Sequence, residues 1–149
     1  MSLKQSIKER MIPIQNYATI TPDATLREAA LSLRQSFFEL DGGMRTVAGP
    51  RVVLVTDKNQ KLLGILDFKS FLKNYFPQIG GLGKQIMIKD IMRNVKGAMD
   101  VSATVEDGLK TIVQSKISVL PIYDGNKAVG IVRDTDIFLA ITDSLEKEA

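Results

Sequence analysis

The chain has 149 residues, 44% apolar and 25% charged, the profile of an ordinary globular protein rather than a fibrous or disordered one. Its formal charge of +3 comes from scattered Lys and Arg, which describes a solvated surface more than a nucleic-acid face. With no cysteine and no histidine, it excludes disulfides, thiolate nucleophiles, imidazole bases and zinc sites built on those ligands.

The opening, MSLKQSIKER, is polar and has no apolar signal core. No apolar run approaches the ~20 residues that span a bilayer. The expectation is a cytoplasmic protein with no membrane partner. A short strand is predicted near NYATI (16–20). Leu26, Ala30, Leu33 and Phe37 then recur at helical spacing. Asp23 and Thr25 are its candidate caps, and Glu28, three residues after Thr25, fits a capping box.

FFELDGGMRTVAGPR (37–51) interrupts the pattern. It reads either as a surface loop extending the helix or as a contact surface or flap. A β-branched run, RVVLVTD, a turn, DKNQ, and a second short strand, KLLGIL, then make a hairpin. FKSFLKNYF (68–76) closes the unit as a helix. The glycine-rich PQIGGLGKQ (77–85) reads as a linker, because a phosphate loop would need Gly at 78 and Ser or Thr at 85, where the chain has Gln.

The second half repeats the first. QIMIKDIMRNVK (85–96) resembles the opening segment, and Met92 falls where Met11 does. A strand is predicted near GAMDV, then a helix carrying Val105, Leu109, Ile112 and Val113, with Ser102 or Thr104 as cap. The hairpin ISVLPIYD–GN–KAVGIV matches the first one, with Gly130 at the place of Gly64 and a turn one residue shorter. TDIFLAITDSL is the closing helix. A lone unit of this size buries little core, so two packed copies are expected.

The linked set KDIM, ATVEDGL, LPIYD and GIVRDTDI closely resembles a CBS domain, the module first named from cystathionine β-synthase; the first half is a weaker match. Two such repeats in tandem form a Bateman module and cover nearly the whole chain, leaving no residues for a catalytic, channel or DNA-binding domain. The resemblance implies an α/β fold of the α+β type, with two β-α-β-β-α CBS repeats related by a pseudo-two-fold axis. Residues 1–76 hold repeat 1 with its lead-in and the 37–51 insertion, 77–85 the linker, and 86–149 repeat 2. It further implies a regulatory sensor rather than an enzyme. That sensor would bind AMP, ADP, ATP or S-adenosylmethionine, AMP foremost, in a cleft between the repeats, with no required cofactor and no metal.

The family's ligand pattern runs glycine, two apolar residues, Thr or Ser, two variable residues, Asp. It falls on Gly130, Ile131, Val132, Arg133, Asp134, Thr135 and Asp136. The resemblance makes Asp136 the ribose acceptor, and two carboxylate oxygens do suit two adjacent hydroxyl donors. The strand carrying Val119, Leu120 and Pro121, with Gly130 and Ile131, supplies an adenine wall and backbone groups. Pro121 suggests a strand edge facing a cleft, and the helix start suggests open N–H groups that attract anions. Two readings stand for Asp136: a ribose clamp, or an acid at the third helical position favoured by the helix dipole.

Arg133 replaces the expected hydroxyl residue. It is read as reaching a phosphate, as blocking the ribose, or as a solvated surface arginine. In repeat 1, Asp67 takes the Thr position and Ser70 the Asp position, so Asp67 reads as an N-cap and that site as weak or empty. Modules of this kind pair into dimers, and Leu72, Phe76, Phe138 and Ile141 are the apolar residues expected at such a contact. The implied partners are a second copy, an adenine nucleotide and an effector protein. The rival reading is a ligand-free interaction module with a vestigial pocket.

Overall fold

The computed structural model describes residues 2–39, 52–75 and 86–148. Most of the 37–51 insertion, Phe76 and the 77–85 linker lie outside them. The described residues form four α-helices and two four-stranded mixed sheets, the α+β architecture expected. The first sheet has β2 (Ala18–Ile20), β3 (Val52–Thr56), β4 (Leu62–Asp67) and β5 (Arg93–Asn94) in that order, with β2 parallel to β3 and the rest antiparallel. The second runs β1 (Ile12–Pro13), β8 (Lys127–Arg133), β7 (Val119–Asp124), β6 (Met99–Asp100), with β6 parallel to β7. The helices are α1 (Leu26–Glu39), α2 (Phe68–Tyr75), α3 (Val105–Ser115) and α4 (Asp134–Glu148).

Threonine, the nearer candidate in each case, caps the first helix of each repeat. Thr25 Oγ1 accepts from the Glu28 N–H at 3.2 Å. Thr104 and Asp107 make a full reciprocal box: the Thr104 hydroxyl accepts from the Asp107 N–H, and the Asp107 carboxylate accepts from the Thr104 N–H at 2.9 Å. Ser102 instead donates to the Asp100 carboxylate, shaping the turn before the helix.

The repeats follow chain order, but the compact units do not. One unit comprises Asn16–Asn94; the other comprises Met1–Gln15 with Val95–Ala149. The opening segment therefore completes the second repeat, and the segment before the second repeat completes the first. The contacts match position by position. Ile7 and Ile88 each sit on a short 3₁₀ turn, fully buried in the core of its unit. The Ile7 N–H donates to Ala103 O and the Ile88 N–H to Ala24 O, both at 2.9 Å.

In return, the first amides of the helices, which lack intrahelical acceptors, find the lead-in carbonyls. The Val105 N–H donates to Gln5 O at 3.0 Å, and the Leu26 N–H to Ile86 O at 3.2 Å. In the 1–15/95–149 unit, Ile7 packs with Val105, Ile112, Leu120, Ile122, Val132, Ile137 and Ala140. In the 16–94 unit, Ile88 packs with Ala24, Leu26, Ala29, Val55 and Leu66.

Candidate ligand site

The motif glycines have a packing reason. Each lies where a lead-in strand crosses a hairpin: β1 sets Pro13 opposite Gly130, and β5 sets Asn94 opposite Gly64. A Cβ on Gly130 would stand 2.5 Å from Met11 Sδ and 2.9 Å from Ile12 O. On Gly64 it would meet Met92 Sδ and Arg93 O at the same distances. Backbone at that range leaves no room for a side chain.

From Gly130 the strand runs into α4, and its register against β7 fixes which residues share a face. Val119 lies opposite Arg133, Leu120 opposite Val132 and Pro121 opposite Ile131. Alternation puts Val119, Pro121, Ile131 and Arg133 on one face and Leu120 and Val132 on the other. Leu120 and Val132 are wholly buried in the core, so the Leu120 side chain is closed to a ligand. Pro121 and Ile131 are also buried, while Val119 and Arg133 are half-buried.

β7 lies inside the sheet between β8 and β6, but β6 pairs only from Ile122 onward, so among the described strands the second edge of β7 is unpaired at Pro121, in keeping with the strand edge expected there. The helix start is less open than expected. The Asp134 N–H donates to Ser118 O at 2.9 Å, and the Thr135 N–H donates to the Asp134 carboxylate at 2.7 Å.

Asp136 is the third residue of α4 and only 8% exposed. Its Oδ2 accepts from the Arg133 backbone N–H at 2.9 Å and from Arg133 Nε at 3.0 Å. Its Oδ1 accepts from Arg133 Nη2 at 2.8 Å. The backbone bond is half of a capping box, and the other two make a bidentate ion pair. Arg133 therefore folds back along the helix start onto Asp136. An arginine and an aspartate at positions i and i+3 across a helix start were the sequence signal for this pair.

Repeat 1 places its acid on the other side of the same turn. Asp67 precedes α2, and its Oδ1 accepts from the Ser70 N–H at 2.8 Å, an N-cap as expected. Its Oδ2 meets Arg93 Nη2 of β5 at 3.0 Å. Burial pushes the Asp67 carboxyl up, but the Ser70 hydrogen bonds and the Arg93 charge together outweigh it and hold the group below the ordinary aspartate range. Sequence reading missed Arg93, because it reaches Asp67 only once β5 joins β4.

Among the described residues no group of three or more acidic side chains could hold a metal ion, and no helix is long and apolar enough to cross a membrane. Of the apolar residues expected at a dimer contact, Leu72 and Phe138 are exposed, joined by Leu139 and Leu145. Ile141 is half-buried against the core instead.

Comparison with known proteins shows the family and the fold. The CBS domain model matches residues 7–76 and 84–143, so the chain belongs to the CBS-domain family and carries a pair of these domains. An uncharacterized protein, MJ1232, of Methanocaldococcus jannaschii is 28% identical over 138 residues, which are 92% of this chain and 40% of that protein. The chain thus spans well under half the length of that relative. The fold is shared with a CBS domain-containing protein of unknown function from Bacillus anthracis, at TM-score 0.67, 16% identity and 95% coverage of both chains. It is also shared with CBSX2 crystallised in complex with AMP, at TM-score 0.65 and 19% identity, covering 97% of this chain and 98% of that one.

Proposed function

We propose that the chain is a regulatory module that binds an adenine nucleotide, AMP foremost, at Asp136. Occupancy then biases the pairing of two copies or the hold on an effector protein. The observation that carries this is Asp136 itself. A nearly buried carboxylate at the mouth of α4 has both oxygens accepting hydrogen bonds from Arg133, a two-point acceptor that two adjacent ribose hydroxyls would suit. Val119 and the backbone of Leu120 and Pro121 lie along the adjacent strand for the purine, with Gly130 and Ile131 beside them. The AMP complex of a protein sharing this fold supports the ligand class. Sensing then means that the ligand prefers one of two states of the module.

The test is isothermal titration with AMP, ADP, ATP and S-adenosylmethionine. The expected result is one site per chain with a dissociation constant on the order of micromolar, lost in Asp136→Ala. An Asp136→Ala chain that binds AMP as tightly as the parent returns Asp136 to a capping role.

A second reading, a ligand-free interaction module, is favoured by one observation. The Asp136 oxygens are already matched by Arg133, while Leu72, Phe138 and Leu139 stand exposed on α2 and α4. It predicts no heat from any of the four ligands, and a concentration-dependent dimer indifferent to them in sedimentation.

A further inference from the structure

Two methionines hold equivalent places in the two units. Met11 and Met92 each follow a short 3₁₀ turn and lead directly into a two-residue strand, β1 or β5. The sulfur of each lies against the glycine of the facing hairpin, in the space that a side chain there would fill. Met11 Sδ is 2.5 Å from the place of a Cβ on Gly130, and Met92 Sδ is 2.5 Å from the same place on Gly64. Thioether and glycine thus fit as knob and notch, once in each unit. Met11 also packs against the core around Ile7, and Met92 against the core around Ile88. Both residues are half-buried rather than enclosed, which leaves them open to a small oxidant.

The chain holds six methionines and no cysteine, so thioethers are its only sulfur and no thiol competes for peroxide within it. In that reaction a sulfur lone pair attacks one oxygen of hydrogen peroxide and the O–O bond breaks. The oxygen stays on sulfur as a sulfoxide, and its proton passes to the departing hydroxide, which leaves as water. The sulfur gives up two electrons and the peroxide takes them.

The notches are poorly suited to the product. Around the Gly130 position the three nearest atoms are Met11 Sδ, Met11 Cγ and the Ile12 carbonyl oxygen. Around Gly64 they are Met92 Sδ, Met92 Cγ and the Arg93 carbonyl oxygen. None of these atoms is a donor. A sulfoxide oxygen turned inward meets a carbonyl oxygen with no hydrogen to share. One turned outward draws the sulfur toward water and off the glycine. Either way the contact that seats the lead-in on the hairpin is lost.

We propose that Met11 and Met92 are oxidation sites through which peroxide loosens the two lead-ins. Each sulfoxide unseats the strand beside it, β1 from β8 or β5 from β4. A methionine sulfoxide reductase reverses the change, a dithiol taking the oxygen away as water and closing to a disulfide. This goes beyond the nucleotide reading and does not rest on it.

The experiment treats the full chain with hydrogen peroxide, locates sulfoxides by mass spectrometry of its peptides and follows the thermal melt by circular dichroism. Half of each oxidised sample is then treated with a methionine sulfoxide reductase and dithiothreitol. Three chains are compared: the parent, Met11→Leu/Met92→Leu and Met87→Leu/Met99→Leu. Leucine conserves volume and carries no sulfur. The parent and the Met87→Leu/Met99→Leu chain should gain oxygen at positions 11 and 92 and melt about 5 °C lower. The reductase should restore their original melts. The Met11→Leu/Met92→Leu chain, oxidised at its other methionines, should stay within about 1 °C of its untreated melt.

Sulfoxides at 11 and 92 that leave the parent melt unchanged overturn the proposal, as do sulfoxides that form there only when the chain is unfolded in urea. A Met87→Leu/Met99→Leu chain that peroxide no longer destabilises overturns it too. So does a Met11→Leu/Met92→Leu chain destabilised as much as the parent.

Discussion

Asp67 and Asp136 show how one pair of positions can serve two repeats in opposite senses. In repeat 1 the acid precedes its helix and takes the N–H of the third helical residue. In repeat 2 the acid is the third residue and takes the N–H of the residue before the helix. Each accepts one backbone N–H at its helix start, and each is met by an arginine, Arg93 or Arg133. Because the Asp67 pKa is lowered by folding, its charge stabilises the fold above the ordinary aspartate value of about 3.9. That contribution is lost as the pH falls through the lower folded value. Asp67→Asn should therefore lower the melting temperature at pH 7 and close the gap to the parent progressively below about pH 4. A gap that stays constant from pH 7 to pH 3 would mean that the charge contributes nothing. The motif spacing made Asp136 and Gly130 legible as sequence. It did not show that Arg133 turns back on Asp136, because a long side chain at a helix start has several reachable partners and only the fold selects one.

At the scale of elements, every helix and hairpin was readable from periodicity and turn residues, since each is set by local pattern. The two-residue strands β1 and β5 were not, because so short a stretch has no period of its own. Nor was the exchange of lead-ins. Likeness between two repeats shows which residues are equivalent and says nothing about which copy they pack against. The lead-in of the second repeat's unit is held by the buried Ile7 and by an ion pair between Arg10 and Asp143 of α4 at 2.8 Å. Partly exposed, that pair contributes modestly, and the isoleucine dominates. Ile7→Ala should cost about 2–5 kcal/mol in urea unfolding. Lys8→Ala, at the exposed neighbour, should stay within about 0.5 kcal/mol. Equal effects from the two would show that the segment is not part of the core.

For the molecule as a whole, the exchange makes one unit continuous in sequence and the other discontinuous. Residues 16–94 carry all four strands and both helices of their sheet and core. A fragment of 16–94 should melt cooperatively by circular dichroism. A fragment of 86–149 should not, because it lacks the strand that pairs with Ile131 and the isoleucine that fills its core. Adding a peptide of residues 1–15 should restore its transition. A cooperative melt from 86–149 alone would show that the opening segment is dispensable.

The same discontinuity orders events on the ribosome. The first 15 residues emerge first and find their partners last, since Ala103, Val105 and Ile131 are made only after the whole intervening unit. That unit can close while synthesis continues, whereas Ile7 waits in solvent for strands not yet translated. A nascent chain stalled before α4 would hold one finished half and one unclaimed apolar segment, the kind of surface that chaperones hold until a chain is complete.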